Sequence, residues 1–265
     1  MHDLHCHLLP GVDDGVPDVE EAVRLARSAQ ADGVRTIAAT PHLRFDHPAV
    51  HPTELASRCE ALSSRLRDEG VTLEVLSGGE IDTAWSLDAT DEELRLVSYG
   101  QRGTDLLVET PYTPLTATFE HVLFRLQLAG YRLLLAHPER NVTLRNDPQR
   151  LEDLVERGVL LQVTAASIVQ SPRRSSSSEF GRRLVRDGLA HLIASDLHHP
   201  EDPGRASLAE GAAAASELVG PARARWMVDD APAAIAQGLE LSPPPPLAGP
   251  RGRTRMRFWR RRGQA

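Results

Sequence analysis

The stretch that decides the fold is Met1–Gly15, which reads MHDLHCHLLPGVDDG. It places His5 and His7 two positions apart, ahead of an acidic turn at residues 13–15. Because alternate residues of a β-strand point to the same face, the two imidazoles can converge on one point. A His-x-His pair at the end of a strand can present two neutral nitrogens to a divalent metal ion. A surface strand that carries histidines by chance would look the same, so the rest of the chain must decide.

Composition limits the class of protein. The chain has 265 residues, of which 41% are hydrophobic and 25% charged, as in ordinary globular proteins. That length suits one domain of α/β-barrel size or two small ones. No apolar run is long enough to cross a membrane, and the N-terminus lacks a signal pattern, so we expect a cytoplasmic protein. Two cysteines, Cys6 and Cys59, do not make a disulfide framework.

The charges are unevenly distributed. All 30 basic residues are arginines, and seven of them lie in residues 251–265. Residues 1–250, the body of the protein, contain 23 arginines and 37 acidic residues and are therefore strongly acidic. Such a body is a poor binder of nucleic acid. It is consistent with a carboxylate-rich metal site, although surface carboxylates would give the same count.

Short β-rich segments alternate with helical ones along the chain. After the opening strand, they lie at 34–39, 71–76, 105–108, 132–136, 159–163 and 191–194. Helices between them begin at capping residues such as Asp18 and end at glycines such as Gly33. The alternation predicts parallel βα units, and seven of them favour a closed or nearly closed α/β barrel. We expect this domain to span residues 1–240.

From Ser242 onward the sequence changes character. It reads PPPPLAGPRGRTRMRFWRRRGQA after that serine, with proline first and arginine later. Chains with so little apolar content cannot bury a core, so residues 241–265 are predicted to be a disordered tail. The arginines, together with Phe258 and Trp259, could contact an anionic membrane or an acidic partner. A simple solubilising end is the alternative.

Imidazoles and carboxylates recur where the predicted strands end. These residues are His5, His7, His42, Glu80, Glu109, His137, Asp196 and His198. In a parallel barrel, all strand ends of this kind lie on one rim, where active sites of such barrels are built. Polar residues often begin loops, so any one position could be a solvated loop residue.

The set as a whole predicts a metal centre. Histidine and carboxylate are the usual ligands of Mn²⁺, Fe and Zn²⁺. With Asp14 the set has nine members, which is more than one ion can accept. We therefore expect two or three divalent ions, bridged by carboxylates.

Seven segments carry a family resemblance. They are, in order, HDLHCHLLPGVDDG, TIAATPH, GGEI, LVETPY, LAHPERN, LQVTA and IASDLHH. Over residues 1–240 the chain resembles the PHP (polymerase and histidinol phosphatase) superfamily. Within that superfamily it is most similar to the bacterial PHP-type protein-tyrosine phosphatases of capsule and exopolysaccharide gene clusters. The resemblance implies a distorted (β/α)₇ TIM-like barrel.

The resemblance also implies a three-metal site with Mn²⁺ as the first choice of ion, while Fe, Zn²⁺ or Mg²⁺ would also suit it. The implied ligands are His5, His7, Asp14, His42, Glu80, Glu109, His137, Asp196 and His198. Arg140 would bind the substrate phosphate. Arg205 is the candidate for a second family arginine, although the loop before it looks longer here. The implied partner is a phosphotyrosine protein, such as a bacterial tyrosine kinase with a tyrosine-rich tail.

This reading predicts hydrolysis of phosphotyrosine by a metal-activated hydroxide. His42 or Asp14 could help to protonate the leaving group. The same fold could instead hydrolyse histidinol phosphate, another small phosphomonoester, or a phosphodiester of nucleic acid. The acidic body argues against a nuclease. A non-catalytic metal-binding module would be expected to lack ligands, whereas all nine are present.

Cysteine-dependent phosphatase chemistry is the remaining alternative. Cys59 and Arg65 match the bare C-x₅-R pattern of those enzymes. That loop needs glycines and free backbone N–H groups to bind phosphate and to lower the thiol pKa. Here the intervening residues 60–64 fall inside a predicted helix, so the match is a coincidence.

Overall fold

The computed structural model describes residues 1–171, 175–201 and 206–248. Its strand segments are β1 (His2–Cys6), β2 (Thr36–Ala39), β3 (His42–Leu43), β4 (Glu74–Ser77), β5 (Glu80–Ile81), β6 (Asp105–Glu109), β7 (Arg132–Ala136), β8 (Leu160–Thr164) and β9 (Leu192–Ala194). Each strand pairs in parallel with its neighbours.

These segments occupy seven strand positions. β2 and β3 are two parts of one strand that is interrupted at Thr40-Pro41, and β4 and β5 are likewise interrupted at Gly78-Gly79. β2 pairs with β4, while β3 pairs with β5, so both parts stay side by side. The sheet closes between β9 and β1, where the Asp196 amide donates to the His5 carbonyl at 2.9 Å. The predicted distorted (β/α)₇ barrel is confirmed.

Helices cover the outside of this barrel. They are α1 (Val19–Ala31), α2 (Leu55–Asp68), α3 (Thr83–Asp88), α4 (Asp91–Val97), α5 (Ala117–Leu128), α6 (Val142–Asn146), α7 (Pro148–Glu156), α8 (Ala165–Val169), α9 (Ser176–Arg186), α10 (Leu208–Val219), α11 (Pro221–Arg225) and α12 (Ala231–Ala236). A π-helical turn at Trp226–Asp230 joins the last two. Within the described ranges, no helix has the length and apolar character needed to cross a bilayer.

The predicted helix starts follow local capping chemistry. The Asp18 side chain accepts a hydrogen bond from the Glu21 amide at 2.9 Å, as expected for the N-cap residue of α1. Residues 89–90 separate α3 from α4. Thr90 and Glu93 form a reciprocal capping box at the start of α4.

The inside of the barrel is filled with side chains. One buried leucine or alanine from each strand position contributes, in order Leu4, Ala38, Leu76, Leu107, Leu134, Leu160 and Leu192. Tyr99 and Ile235 also belong to this cluster, and the Tyr99 hydroxyl donates to the Leu4 carbonyl at 2.7 Å. Because this part of the barrel is packed with apolar groups, the polar residues gather beyond it at the carboxyl ends of the strands.

The segment that follows α12 packs against the domain. The indole nitrogen of Trp226 donates to the Ser242 carbonyl at 3.1 Å, and Arg223 donates to the Pro245 carbonyl at 3.2 Å. The Ala248 amide donates to the Val219 carbonyl at 3.0 Å. The prediction that the chain does not pack from Ser242 onward is therefore wrong for residues 242–248. Proline carbonyls accept hydrogen bonds as other carbonyls do, and composition does not reveal them. The rest of the predicted tail, 249–265, lies outside the described residues.

Candidate metal centre

The His-x-His pair lies at the carboxyl end of β1, fully buried. The Nε2 atoms of His5 and His7 are 3.3 Å apart. The other ring nitrogen of each is engaged: His5 Nδ1 lies 2.9 Å from Gln162 Oε1, and His7 Nδ1 lies 2.8 Å from Asp13 Oδ2. Hydrogen bonds of this kind fix the ring orientation of metal-binding histidines, so both Nε2 atoms are directed at a common point.

The acidic turn returns to this point because of Gly15. A Cβ atom on Gly15 would lie 2.4 Å from the His7 carbonyl oxygen, so only glycine fits there. Asp13 is held inside the turn, where it accepts hydrogen bonds from the amides of Gly15 and His42, each at 3.0 Å. Asp14 is more exposed, and its Oδ1 is 3.5 Å from Nε2 of His42.

The interrupted strands bring His42 and Glu80 into register. They are paired residues of β3 and β5, and His42 Nδ1 lies 3.0 Å from Glu80 Oε2. Glu80 Oε2 is also 3.2 Å from His5 Nε2, and Glu80 Oε1 is 2.8 Å from His137 Nε2. Glu109 reaches the same region from β6, 4.0 Å from His42 Nδ1. Glu80 therefore lies at the centre of the cluster.

Two members of the cluster have left-handed backbone conformations. His137 has φ 35° and Asp196 has φ 54°. This region is rare for residues other than glycine, and such conformations concentrate at functional sites. The turn brings Asp196 Oδ1 to 3.2 Å from His5 Nε2, and the ring of His198 stacks on His7 with centroids 3.9 Å apart.

All nine predicted ligands fall into four overlapping groups. Within each group, one nitrogen or oxygen atom per residue lies within 4.8 Å of all the others. The groups are His7, Asp14, His42 and His198; His5, His137 and Asp196; His5, His7 and Glu80; and His42, Glu80 and Glu109. His5, His7, His42 and Glu80 each belong to two groups, and of these four Glu80 has two carboxylate oxygens that could bridge neighbouring ions.

The donor atoms suit divalent cations. They are imidazole nitrogens and carboxylate oxygens, the ligands that Mn²⁺, Fe and Zn²⁺ accept. The buried atoms His42 Nδ1 and Glu80 Oε2 make no hydrogen bond among the described residues, although they lie 3.0 Å apart. Buried polar atoms are normally hydrogen-bonded, so this pair is suited to another partner such as an ion. That these residues bind metal stays a prediction.

Imidazoles and carboxylates in the cluster shift each other's pKa. Burial alone would lower the pKa of His5, but the charges of Glu80 and Asp196 outweigh it and raise that pKa to about 9. Burial would raise the pKa of Glu80, yet His5, His137 and His42 hold it well below its ordinary value. Among the described atoms, a protonated His5 therefore offsets part of the carboxylate charge. Bound cations would take over that role after the protons leave.

Arg140 lies beside the cluster and is held by residues of three strand ends. Its guanidinium donates to the Tyr112 hydroxyl at 3.1 Å and to Thr164 Oγ1 at 3.3 Å, and it pairs with Asp196 Oδ2 at 2.6 Å. The charge of Asp196 raises the pKa of Arg140 although burial opposes it, so the group stays cationic. The second predicted phosphate residue, Arg205, lies outside the described residues.

Several residues of the site were not singled out from the sequence. Asp13 orients His7, but the DDG turn offered two aspartates with no signal to separate them. Arg44 donates to Glu109 Oε1 at 3.1 Å, and His47 stacks on His42 with centroids 5.3 Å apart. Tyr112 stacks on His137 at 5.9 Å. These three lie in loops, where spacing carries no information on direction.

The cysteines do not belong to this centre. Cys59 is buried on α2, and burial raises the pKa of its thiol to about 12. Cys6 donates its thiol hydrogen to the Leu197 carbonyl at 3.4 Å. Cys59, Arg65 and the residues between them all lie within α2, so they do not form the phosphate-binding loop of a cysteine-dependent phosphatase.

Comparison with known proteins identifies the family. The family model described as capsular polysaccharide synthesis, CpsB/CapC, matches residues 1–236. The chain belongs to the CpsB/CapC family. This agrees with the resemblance found in the seven segments, which is thereby confirmed.

The relatives of this CpsB/CapC protein are named as phosphatases. Tyrosine-protein phosphatase YwqE of Bacillus subtilis is 35% identical over 199 residues, which cover 75% of this chain and 78% of that protein. Tyrosine-protein phosphatase CpsB of Streptococcus pneumoniae is 27% identical over 212 residues, covering 75% and 83%.

A solved structure is similar over most of the chain. It comes from work on YwqE from Bacillus subtilis and CpsB from Streptococcus pneumoniae, which are described as metal-dependent tyrosine phosphatases. Its TM-score is 0.80 at 30% sequence identity, and the match covers 93% of this chain and 99% of that one. The relatives therefore combine metal dependence with the barrel found here.

Proposed function

We propose that this CpsB/CapC protein is a metal-dependent protein-tyrosine phosphatase, which hydrolyses phosphotyrosine in a protein substrate. The observation that carries the proposal is the set of four overlapping groups of imidazole and carboxylate atoms beside the cationic Arg140. The names of the relatives support the same activity.

The proposed ligands are the nine residues of the four groups, and Mn²⁺ is the ion we expect. Divalent ions in such a centre would lower the pKa of water and offset negative charge on the phosphate oxygens. Asp13 and Gln162 would keep the Nε2 atoms of His7 and His5 directed at the ions, because each holds the opposite ring nitrogen.

Arg140 would bind the phosphate of the substrate. Its planar guanidinium matches two phosphate oxygens at once. Tyr112, Thr164 and Asp196 hold it at the edge of the centre, so little ordering is needed when the phosphate arrives. Arg205 would supply a second contact to the phosphate, as in the family pattern.

Asp14 and His42 are the candidates for proton transfer. Asp14 Oδ1 and His42 Nε2 are 3.5 Å apart, and the Asp14 side chain is 56% exposed. Either side chain could pass a proton to the phenolate oxygen as the ester bond breaks. Phenolate is a better leaving group than an alkoxide, so the help required is small.

The substrate we expect is a bacterial tyrosine kinase with a tyrosine-rich tail, acting in capsule or exopolysaccharide synthesis in the cytoplasm. The family description, capsular polysaccharide synthesis, supports the setting. The arginine-rich residues 251–265 would add a peripheral contact with anionic lipid. If deletion of residues 249–265 leaves vesicle binding unchanged, the proposed lipid contact is refuted.

Substrate selectivity tests the proposal. With Mn²⁺, the purified protein should hydrolyse p-nitrophenyl phosphate and a phosphotyrosine peptide, and a chelator should abolish both activities. Histidinol phosphate, assayed side by side, should be the poorer substrate by kcat/KM. A preference for histidinol phosphate, or activity that survives complete chelation, would overturn the proposal.

A further inference from the structure

Tyr112 displays an aromatic ring at the mouth of the metal centre. The residue follows the end of β6 by three positions and is 61% exposed. Its hydroxyl accepts a hydrogen bond from Arg140 Nη1 at 3.1 Å, so its polar atom is already satisfied. One side of the ring lies over His137, with centroids 5.9 Å apart and planes inclined by 25°. The exposed part of the apolar ring is therefore available to a ligand.

The loop that carries Tyr112 is fixed on both sides. The side-chain Nδ2 of Asn141 donates to the carbonyls of Pro111 and Thr113, at 2.6 and 3.0 Å. The Asn141 side-chain oxygen in turn accepts from the Thr143 amide at 2.8 Å and caps α6. This clamp ties Tyr112 to the segment that also carries Arg140, so the ring and the guanidinium keep a constant relative position.

We propose that the ring of Tyr112 packs against the aromatic ring of the substrate and makes the site selective for aryl over alkyl phosphomonoesters. Because Arg140 Nη1 lies 3.1 Å from the Tyr112 hydroxyl, a phosphate bound to Arg140 would lie beside Tyr112, and an aromatic group attached to it could pack against the ring. Aromatic pairs are favoured at centroid distances of about 4.5 to 7 Å. The inference rests on the proposed function, since it assumes that phosphate binds at Arg140.

A role through the hydroxyl alone is the competing explanation. In that case Tyr112 would only position Arg140, and every phosphate ligand would be affected equally. The variant Tyr112→Phe removes the hydroxyl and keeps the ring, whereas Tyr112→Ala removes both. Loss of the ring should weaken the binding of ligands with an aromatic group, whereas loss of the hydroxyl should weaken the binding of all phosphate ligands equally.

The experiment compares phenylphosphonate with methylphosphonate as non-hydrolysable probes. Their dissociation constants are measured by calorimetry on the Mn²⁺-loaded full chain and on both variants, with inorganic phosphate as the common reference. We expect the wild type to bind phenylphosphonate more tightly than methylphosphonate, and Tyr112→Phe to keep the same ratio of dissociation constants. In Tyr112→Ala this preference should fall by about five- to tenfold. The kcat/KM ratio of phosphotyrosine to phosphoserine should fall by a similar factor.

The outcomes separate this inference from the proposed function. If the phenyl-to-methyl ratio is the same in Tyr112→Ala as in the wild type, the role of the ring is refuted while phosphatase activity stands. An equal loss for all three ligands would assign Tyr112 to positioning Arg140 instead and would also refute it. If the wild type neither binds phosphonates nor hydrolyses phosphotyrosine, the proposed function itself fails.

Discussion

At the scale of single residues, the proposed chemistry depends on Arg140. We predict that Arg140→Ala lowers kcat/KM for a phosphotyrosine peptide by about 100-fold, the usual effect of removing one preorganised group that binds transition-state charge. Metal content should be unchanged, because the guanidinium touches Asp196 without being a ligand. Steady-state kinetics and elemental analysis of the same sample measure both quantities.

A matched control is Arg58→Ala, which removes an arginine that pairs with Glu54 on the outside of the barrel. That variant should keep full activity. If Arg140→Ala keeps its rate, or loses its metal together with the rate, Arg140 does not bind the phosphate as proposed.

Gly15 shows how one residue allows the acidic turn to reach the site. We predict that Gly15→Ala lowers metal affinity and also destabilises the protein by about 1–3 kcal/mol, as overpacking does. A Cβ atom there would lie 2.5 Å from His7 Cβ, so the turn with Asp13 and Asp14 must move. Metal titration and thermal denaturation are the two measurements.

The comparison variant is Gly158→Ala. Unlike Gly15, Gly158 has a left-handed backbone conformation, φ 88°, and a Cβ atom there would meet nothing within 4 Å. This variant should lose stability through backbone strain and keep its metal affinity. Equal metal affinity in the wild type and Gly15→Ala would show that the turn is not part of the centre.

At the scale of the elements, the junction of β8, β9 and α11 predicts an acid-sensitive fold. His191 Nδ1 accepts a hydrogen bond from the Leu161 amide at 3.2 Å. Burial and the nearby charge of Arg223 lower the pKa of His191 from 6.5 to about 4. The folded state therefore holds this imidazole neutral at a pH where the unfolded chain protonates it.

The sign follows from linkage. The stabilisation is fully present above pH 6.5 and is lost as the pH falls from there toward 4. Between pH 7.5 and 5, His191 should account for a decrease of about 2 kcal/mol in the free energy of unfolding. Urea denaturation at both pH values measures it. His191→Gln should show a smaller decrease, and a variant with the same decrease as the wild type would refute the assignment.

The sequence predicted which residues lie at the carboxyl ends of the strands better than it predicted the breaks within the strands and the geometry of the turns. Seven βα units follow from hydrophobic patterning, so residues such as Glu80 and His137 could be placed on one rim. The breaks at Thr40-Pro41 and Gly78-Gly79 were missed, because they depend on pairing between distant strands. The left-handed turn at Asp196 and the direction of Tyr112 also depend on tertiary contacts, which periodicity does not report.

At the scale of the whole molecule, the C-terminal segment divides into two parts with different expected effects. Deleting residues 249–265 should leave the melting temperature unchanged. Deleting residues 242–265 should lower it, because Trp226 and Arg223 then lose their carbonyl partners on Ser242 and Pro245. Each lost hydrogen bond contributes about 1 kcal/mol, and more where the charged Arg223 is left buried.

Thermal denaturation of the two truncated chains beside the full chain makes the comparison. Both should retain phosphatase activity at low temperature, because these contacts are made by α11 and the π-helical turn rather than by the proposed ligands. Equal melting temperatures for the two truncations would mean that residues 242–248 do not support the fold.

The central claim is that seven strand tips gather nine imidazole and carboxylate side chains around several cations. Anomalous diffraction from crystals of the active, Mn²⁺-loaded protein tests it most directly, because each ion gives its own peak. We predict two or three peaks among the nine residues, with Glu80 in contact with more than one ion. An active protein with no anomalous peak between His5, Glu80, His137 and Asp196 would contradict the account.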